Sequence, residues 1–132
     1  MFFDYKLYKM CYTVFIRQKG IHIMGKKLIY HPDLYLGESI RTEKLDKIKK
    51  KLERKPLLSG VFLIAISRNP SDQLEIFSAK QLAQKYYESN PVYVVGIVGD
   101  YEEAVRIVEL ITVNCLAQRG DCALKEYLLC QT

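Results

Sequence analysis

The 132-residue chain has no tryptophan, only two histidines (His22 and His31) and no C-x-x-C pair, and each scarcity closes off some chemistry. With so few imidazoles, neutral-pH proton transfer would have to rest on His31 or on a histidine near the N-terminus. Cys115, Cys122 and Cys130 are separated by six and seven residues, which matches no zinc-ligand pattern, so no metal site is expected. Cys115 and Cys122 read instead as small apolar core residues in a reducing compartment. The phosphate loop G-x-x-x-x-G-K-[ST] and the G-x-S-x-G elbow of serine hydrolases are both missing. "GIVGDY" has its glycines out of register for G-x-G-x-x-G, and Asp100, Glu102 and Glu103 would repel a phosphate there. No cofactor is expected, and catalysis is the least favoured class of function.

Long apolar runs are also absent. None approaches the roughly 20 residues of a spanning helix, and the N-terminal segment is broken by Asp4, Lys6 and Lys9 with no cleavage-site pattern behind it. A cytoplasmic protein without a membrane partner is expected. Low-complexity tracts and solenoid repeats are missing too, which leaves one compact domain.

What is present is an ordinary globular composition, 49% hydrophobic and 27% charged, with a net charge of +5. Residues 1–23 hold Lys6, Lys9, Arg17 and Lys19 against Asp4, so +3 of that charge sits there and +2 in the rest. Lys19-Gly20 is encoded by AAR-GGN, a purine-rich core like a bacterial ribosome-binding site, three codons before Met24. Residues 1–23 are therefore expected to be a translated leader or disordered extension, with a single domain over 24–132. The competing reading makes "YTVFIR" a genuine strand.

From Met24 onward the pattern alternates between elements. Lys27 to Tyr30 reads as a short strand ended by His31-Pro32-Asp33. A helix begins near Arg41 or Thr42, carries the stripe Leu45/Ile48/Leu52 and stops at Pro56. "GVFLIAIS" (60–67) reads as a buried strand, "RNPSDQ" as a turn, and "LEIFS" (74–78) as a half-buried strand antiparallel to the first. "AKQLAQKYYES" is a short helix, and "VYVVGIV" (92–98) is a second buried strand. A long helix follows, capped by Asp100 with Glu103 at the capping-box position and closed by Gly120. "DCALKEYLLCQ" is a last short helix with Asp121 as its cap.

The fold class is α/β mixed (α+β), with a three- to four-stranded mixed sheet. The βαββαβ order suggests a ferredoxin-like half-open sandwich with added C-terminal helices. A three-stranded sheet with helices on one face is the alternative. The segments "HPDLYLGES", "LIAISRNPSDQLEIF" and "GIVGDYEEAVRIVELI" resemble a family of small uncharacterised bacterial proteins, across most of residues 25–129. That resemblance implies no function.

Three surfaces stand out as candidates. His31, Asp33 and Glu38 form the densest polar group on an expected loop and are the weak candidates for acid–base catalysis. Lys44, Lys47, Lys51, Arg54 and Lys55 run down one side of the helix over 41–55, an electrostatic footprint for nucleic acid. Lysine predominates there and no aromatic is interleaved for stacking. Pairs such as Glu43–Lys47 and Asp46–Lys50 would neutralise part of that face. Finally, apolar residues wrap more than half of the helix Tyr101–Gln118, more than one sheet can cover. A homodimer built on that surplus, acting as a protein-interaction or regulatory module, is the favoured expectation.

Overall fold

Seven consecutive apolar or glycine residues, Val92–Val98, are all buried, and the rest of the molecule is arranged around them. This is strand β4 of a computed structural model that describes residues 28–54 and 59–130. The segment 1–23, with both of its readings, and Lys55 lie outside the described residues. The remaining strands are β1 (Leu28–Leu36), β2 (Phe62–Ile66) and β3 (Leu74–Ser78). They form one mixed sheet in the order β1-β4-β2-β3, with β1 parallel to β4 and the other pairs antiparallel.

Helix α1 (Leu45–Arg54) follows β1, and α2 (Tyr86–Ser89) precedes β4 after a 3-10 turn at Ala79–Ala83. Helices α3 (Tyr101–Arg119) and α4 (Leu124–Leu129) complete the chain. Side chains alternate along each strand, so consecutive residues belong to different cores. Tyr93, Val95 and Val98 join Ile64 and Ile66 in a core beneath α3 and α4. Val92, Val94 and Ile97 join Leu63 and Ala65 in a second core closed by Leu52 of α1 and Leu82 of the 3-10 turn.

The class and the chain order βαββαβ agree with the reading of the sequence. The spatial arrangement does not reproduce a half-open sandwich. Helices cover both faces, and the strand order places the last strand inside and the first at an edge. Continuous apolar runs such as "VYVVGIV" require this, because a strand buried on both faces needs a layer on each.

Four local corrections have physical causes. His31-Pro32-Asp33 does not end β1; the ladder jumps from Tyr30↔Val94 to Tyr35↔Gly96, so the extra residues bulge out and pairing resumes. An edge strand tolerates this, since Pro32 has no N–H to give. The expected second helix is split into the 3-10 turn and α2 because Gln84 is extended (φ −68°, ψ 141°). Thr42 does not cap α1; a 3-10 turn at Thr42–Lys44 leads into it, and Arg41 precedes that turn without a side-chain cap. Asp121 does not cap α4, whose N-cap is Ala123; its carboxylate instead accepts from the Ala123 N–H and from Arg119. Cys115 is buried as expected, whereas Cys122 is exposed.

Asp100 and Gly120 cap α3 as expected, but Glu103 does not close a capping box. Asp100 Oδ1 accepts from the Glu103 N–H at 2.8 Å, and Gly120 closes the helix at φ 79°. The Glu103 side chain reaches past the N-cap instead. Its Oε1 accepts from the Gly99 N–H at 3.1 Å and from Ser39 Oγ at 2.9 Å, tying α3 to the ends of both parallel strands. A Cβ on Gly37 would overlap the Glu103 carboxylate, so glycine is needed there for space alone. Gly37→Ala is expected to displace this buried carboxylate and cost about 1–3 kcal/mol, read as a lower urea midpoint with an unchanged slope. Gly60→Ala is no control, because Gly60 has positive φ; Ser39→Ala, which leaves the space intact, should cost less.

Candidate functional site

The three residues proposed for acid–base chemistry do not converge. His31 is only 3% exposed, while Asp33 and Glu38 are exposed. The Asp33 backbone N–H donates to His31 Nδ1 at 3.0 Å, so Nε2 carries the proton that it donates to Leu128 O at 2.9 Å. His31 thus spends both ring nitrogens on structure. It holds the β1 bulge on one side and satisfies one of the terminal carbonyls of α4 on the other.

A six-residue helix such as α4 cannot stand alone and depends on such remote partners. At its other end the Lys125 N–H donates to Gln73 Oε1 at 3.2 Å, and Lys125 Nζ reaches Asn69 O at 2.8 Å. Lys125 is 0% exposed. Burial pushes its amine below the ordinary lysine range, against the opposing pull of Asp72 and Glu75. Reading the sequence missed this residue, because a lysine in "ALKEYLL" passes for the polar face of an amphipathic helix.

Lys44, in the 3-10 turn before α1, and Lys47, Lys51 and Arg54 of α1 are exposed. The pairs Glu43–Lys47 and Asp46–Lys50 do not form; among the described residues the ion pairs are those of Arg119 with Asp121 and Glu126. Lys49 instead lies over the Tyr30 ring, 4.7 Å from its centre. The face is a solvated stripe of cations without neutralising partners on the helix.

Helix α3 keeps part of its apolar surplus uncovered. Ala104, Ile111 and Cys115 are fully buried, yet Val113 is 61%, Leu110 47% and Leu116 46% exposed. A groove of about 430 Å³ runs between this helix and the edge of the sheet, lined by Ile76, Val105, Val108, Glu109, Thr112 and Val113. Its sheet side is β3, which among the described residues pairs with β2 alone.

The outward backbone groups of β3 follow from its register. Ala79 N bonds Val61 O and Ser67 N bonds Gln73 O, at either end of the β2–β3 ladder. Hydrogen-bonded and non-bonded pairs alternate in an antiparallel ladder, so Leu63–Phe77 and Ala65–Glu75 are the bonded pairs. The N–H and C=O groups of Leu74, Ile76 and Ser78 therefore point away from the sheet, beside the apolar groove.

No family model, curated protein or solved structure matches the chain. Among the described residues no group of three or more His, Cys, Asp or Glu side chains is placed to hold a metal ion, and no helix is long and apolar enough to cross a membrane.

The buried lysine has a measurable signature. With a lowered folded-state pKa, Lys125 binds fewer protons in the folded chain than in the unfolded one, in the window between that pKa and the ordinary 10.5. Stability therefore rises with pH across that window, and the cost of burying the charge is fully present below it. Lys125→Met should remove this rise. Urea midpoints of the two proteins, compared from neutral pH to about 10.5, are expected to shift in favour of the parent as pH increases; parallel curves would contradict the assignment.

Proposed function

We propose that the chain is a small cytoplasmic protein-interaction or regulatory module that pairs with a second copy of itself through the β3 edge and the exposed side of α3. The observation that carries this reading is the contrast between the two edges of the sheet. Edge β1 is interrupted by Pro32 and the bulge, devices that protect an edge from pairing. Edge β3, "LEIFS", is regular, carries Glu75 as its single charge, and is bordered by the apolar groove.

A two-fold axis at Ile76 supports the geometry of such a pair. Ile76 would exchange both backbone bonds with its symmetry mate, Leu74 would face Ser78 and Glu75 would face Phe77, so no like charges oppose each other. The two sheets would become continuous, with the two copies of α3 side by side over the join. Exposed Val and Leu side chains are each worth up to about 1.5–3 kcal/mol on full burial, which favours closing that groove.

Sedimentation across a dilution series is expected to show a monomer–dimer equilibrium. Val113→Glu together with Leu116→Glu should weaken it at least tenfold, as should Ile76→Pro, which removes an outward N–H and no bond to β2. A parent that stays monomeric at tens of micromolar would end this reading.

A second reading rests on the cations of α1, which find no carboxylate partners on their helix. As an anion-binding face they would retain the protein on DNA at low salt, by counterion release rather than base recognition. Lys47→Glu with Lys51→Glu should abolish that retention without changing the melting temperature. Equal retention of variant and parent would dismiss nucleic acid as a partner.

A further inference from the structure

The basic stripe of α1 has no aromatic of its own, and the fold supplies one from another element. Helix α1, the 3-10 turn at Ala79–Ala83 and α2 all pack on the same side of the sheet, where Ile48, Leu52, Leu82 and Tyr87 share one core. Lys80, Lys85 and Tyr86 of this second cover are exposed. Tyr86 is 55% exposed. The other large apolar side chains exposed among the described residues, Tyr101, Leu110, Val113 and Leu116, all belong to α3 on the opposite face.

The Tyr86 ring is held from behind. Phe77 of β3 is buried, and Tyr87 stacks on it with ring centres 5.9 Å apart and planes 18° from parallel. Tyr86 meets Tyr87 edge-on at 5.1 Å, and Asn90 Nδ2 donates to the Tyr86 carbonyl at 2.8 Å. The series runs from core to surface and ends in a ring open to water, next in the chain to Lys85. A ring fixed in this way loses little ordering entropy when a flat partner stacks on it.

Charge separates the two faces of the sheet. Residues 41–54 carry seven Lys and Arg against three carboxylates, and residues 79–90 carry two lysines against Glu88. Residues 100–130, which form α3 and α4, reverse the balance with three basic side chains against six acidic. A polyanion is therefore steered to the side of α1 and α2 and away from the other. A duplex would satisfy the cations, but its bases are paired and stacked on one another, which leaves Tyr86 unused. An unpaired base presents the flat face that Tyr86 can take, and RNA loops and ends display such bases. We propose that this face binds single-stranded RNA, with phosphates along Lys47, Lys51, Lys80 and Lys85 and one base stacked on Tyr86. The proposal rests on the anion-binding reading of α1 and narrows it to one partner; it does not involve the β3 edge.

Fluorescence anisotropy of the full chain at about 50 mM salt, with a short unstructured RNA and with the blunt duplex it forms with its complement, tests it. A duplex releases more counterions per phosphate neutralised, so electrostatics alone makes the duplex the tighter ligand. The chain should instead bind the single strand more tightly. Tyr86→Ala should weaken the single strand about tenfold and leave the duplex unchanged, while Tyr86→Phe keeps the parent's affinity. Lys47→Glu with Lys51→Glu should weaken both ligands. A duplex bound as tightly as the single strand, or a Tyr86→Ala chain that holds the single strand like the parent, would overturn the inference and leave the anion-binding reading standing. Binding of neither ligand would end both.

Discussion

Strand β4 is the constraint from which the rest follows. Its seven residues are buried on alternating faces, so any stable arrangement must place a layer on each side of the sheet and a strand along each edge of β4. At about 1.5–3 kcal/mol for each large apolar side chain, leaving one face open would cost more than a small domain's whole stability. The parallel partner β1 and the antiparallel partner β2 fill the edges. Helix α1 closes one face and α3 with α4 the other. The crossing of the chain from β1 to α1 on one face, and from β4 to α3 on the other, brings Gly37, Ser39, Gly99 and Glu103 together at one end of the sheet.

The layers are locked together by buried polar groups whose partners are far away in the chain. Helix α4 illustrates this. It is too short to persist alone, and its N-terminal N–H and C-terminal carbonyl are satisfied by Gln73 and His31, 52 and 97 residues distant. Lys125 adds a charge-bearing group in full burial, bonded to the β2–β3 turn. An unmade bond at any of these groups would cost about 1–3 kcal/mol, so together they fix one position for α4 against the sheet. His31 belongs to this set, which is why its imidazole faces the core and not a cleft.

Much of this was legible beforehand. Strands β2, β3 and β4, their hairpin, the stripe of α1 and both caps of α3 follow from local patterns: apolar runs, turn chemistry, and the Asp100, Glu103 and Gly120 positions. What stayed hidden depends on distance in the chain. Whether Pro32 ends a strand or sits in a bulge depends on β1 lying at an edge, and edges are set by strand order. A lone histidine in "YHPDLY" looks the same as a general base or as a clamp for a helix 97 residues away. Nothing in "ALKEYLL" marks Lys125 as buried, because its burial comes from α4 being wedged between α3 and the β2–β3 turn. Of the candidate sites, the surplus on α3 was visible as an amount of apolar surface, and its position beside β3 was not.

That position gives the surplus its meaning. Scattered exposed valines and leucines are normal on any soluble protein and need no partner. Here Val113 lines a groove with Ile76, whose own backbone donor and acceptor face outward from an edge strand. Apolar surface supplies attraction without direction, and an unpaired strand edge supplies direction with little attraction in water, where its groups are already hydrated. In the self-association proposed above the two act together on one flank, the apolar surface favouring contact and the strand edge orienting it. The other flank shows the opposite choice: the bulge at Pro32 spoils the β1 edge. Short strands and charges are the usual ways of blunting an edge, and "LEIFS", the other edge among the described residues, is short but carries a single charge. The asymmetry between the two edges seen among the described residues, more than any single residue, is what the proposed pairing rests on.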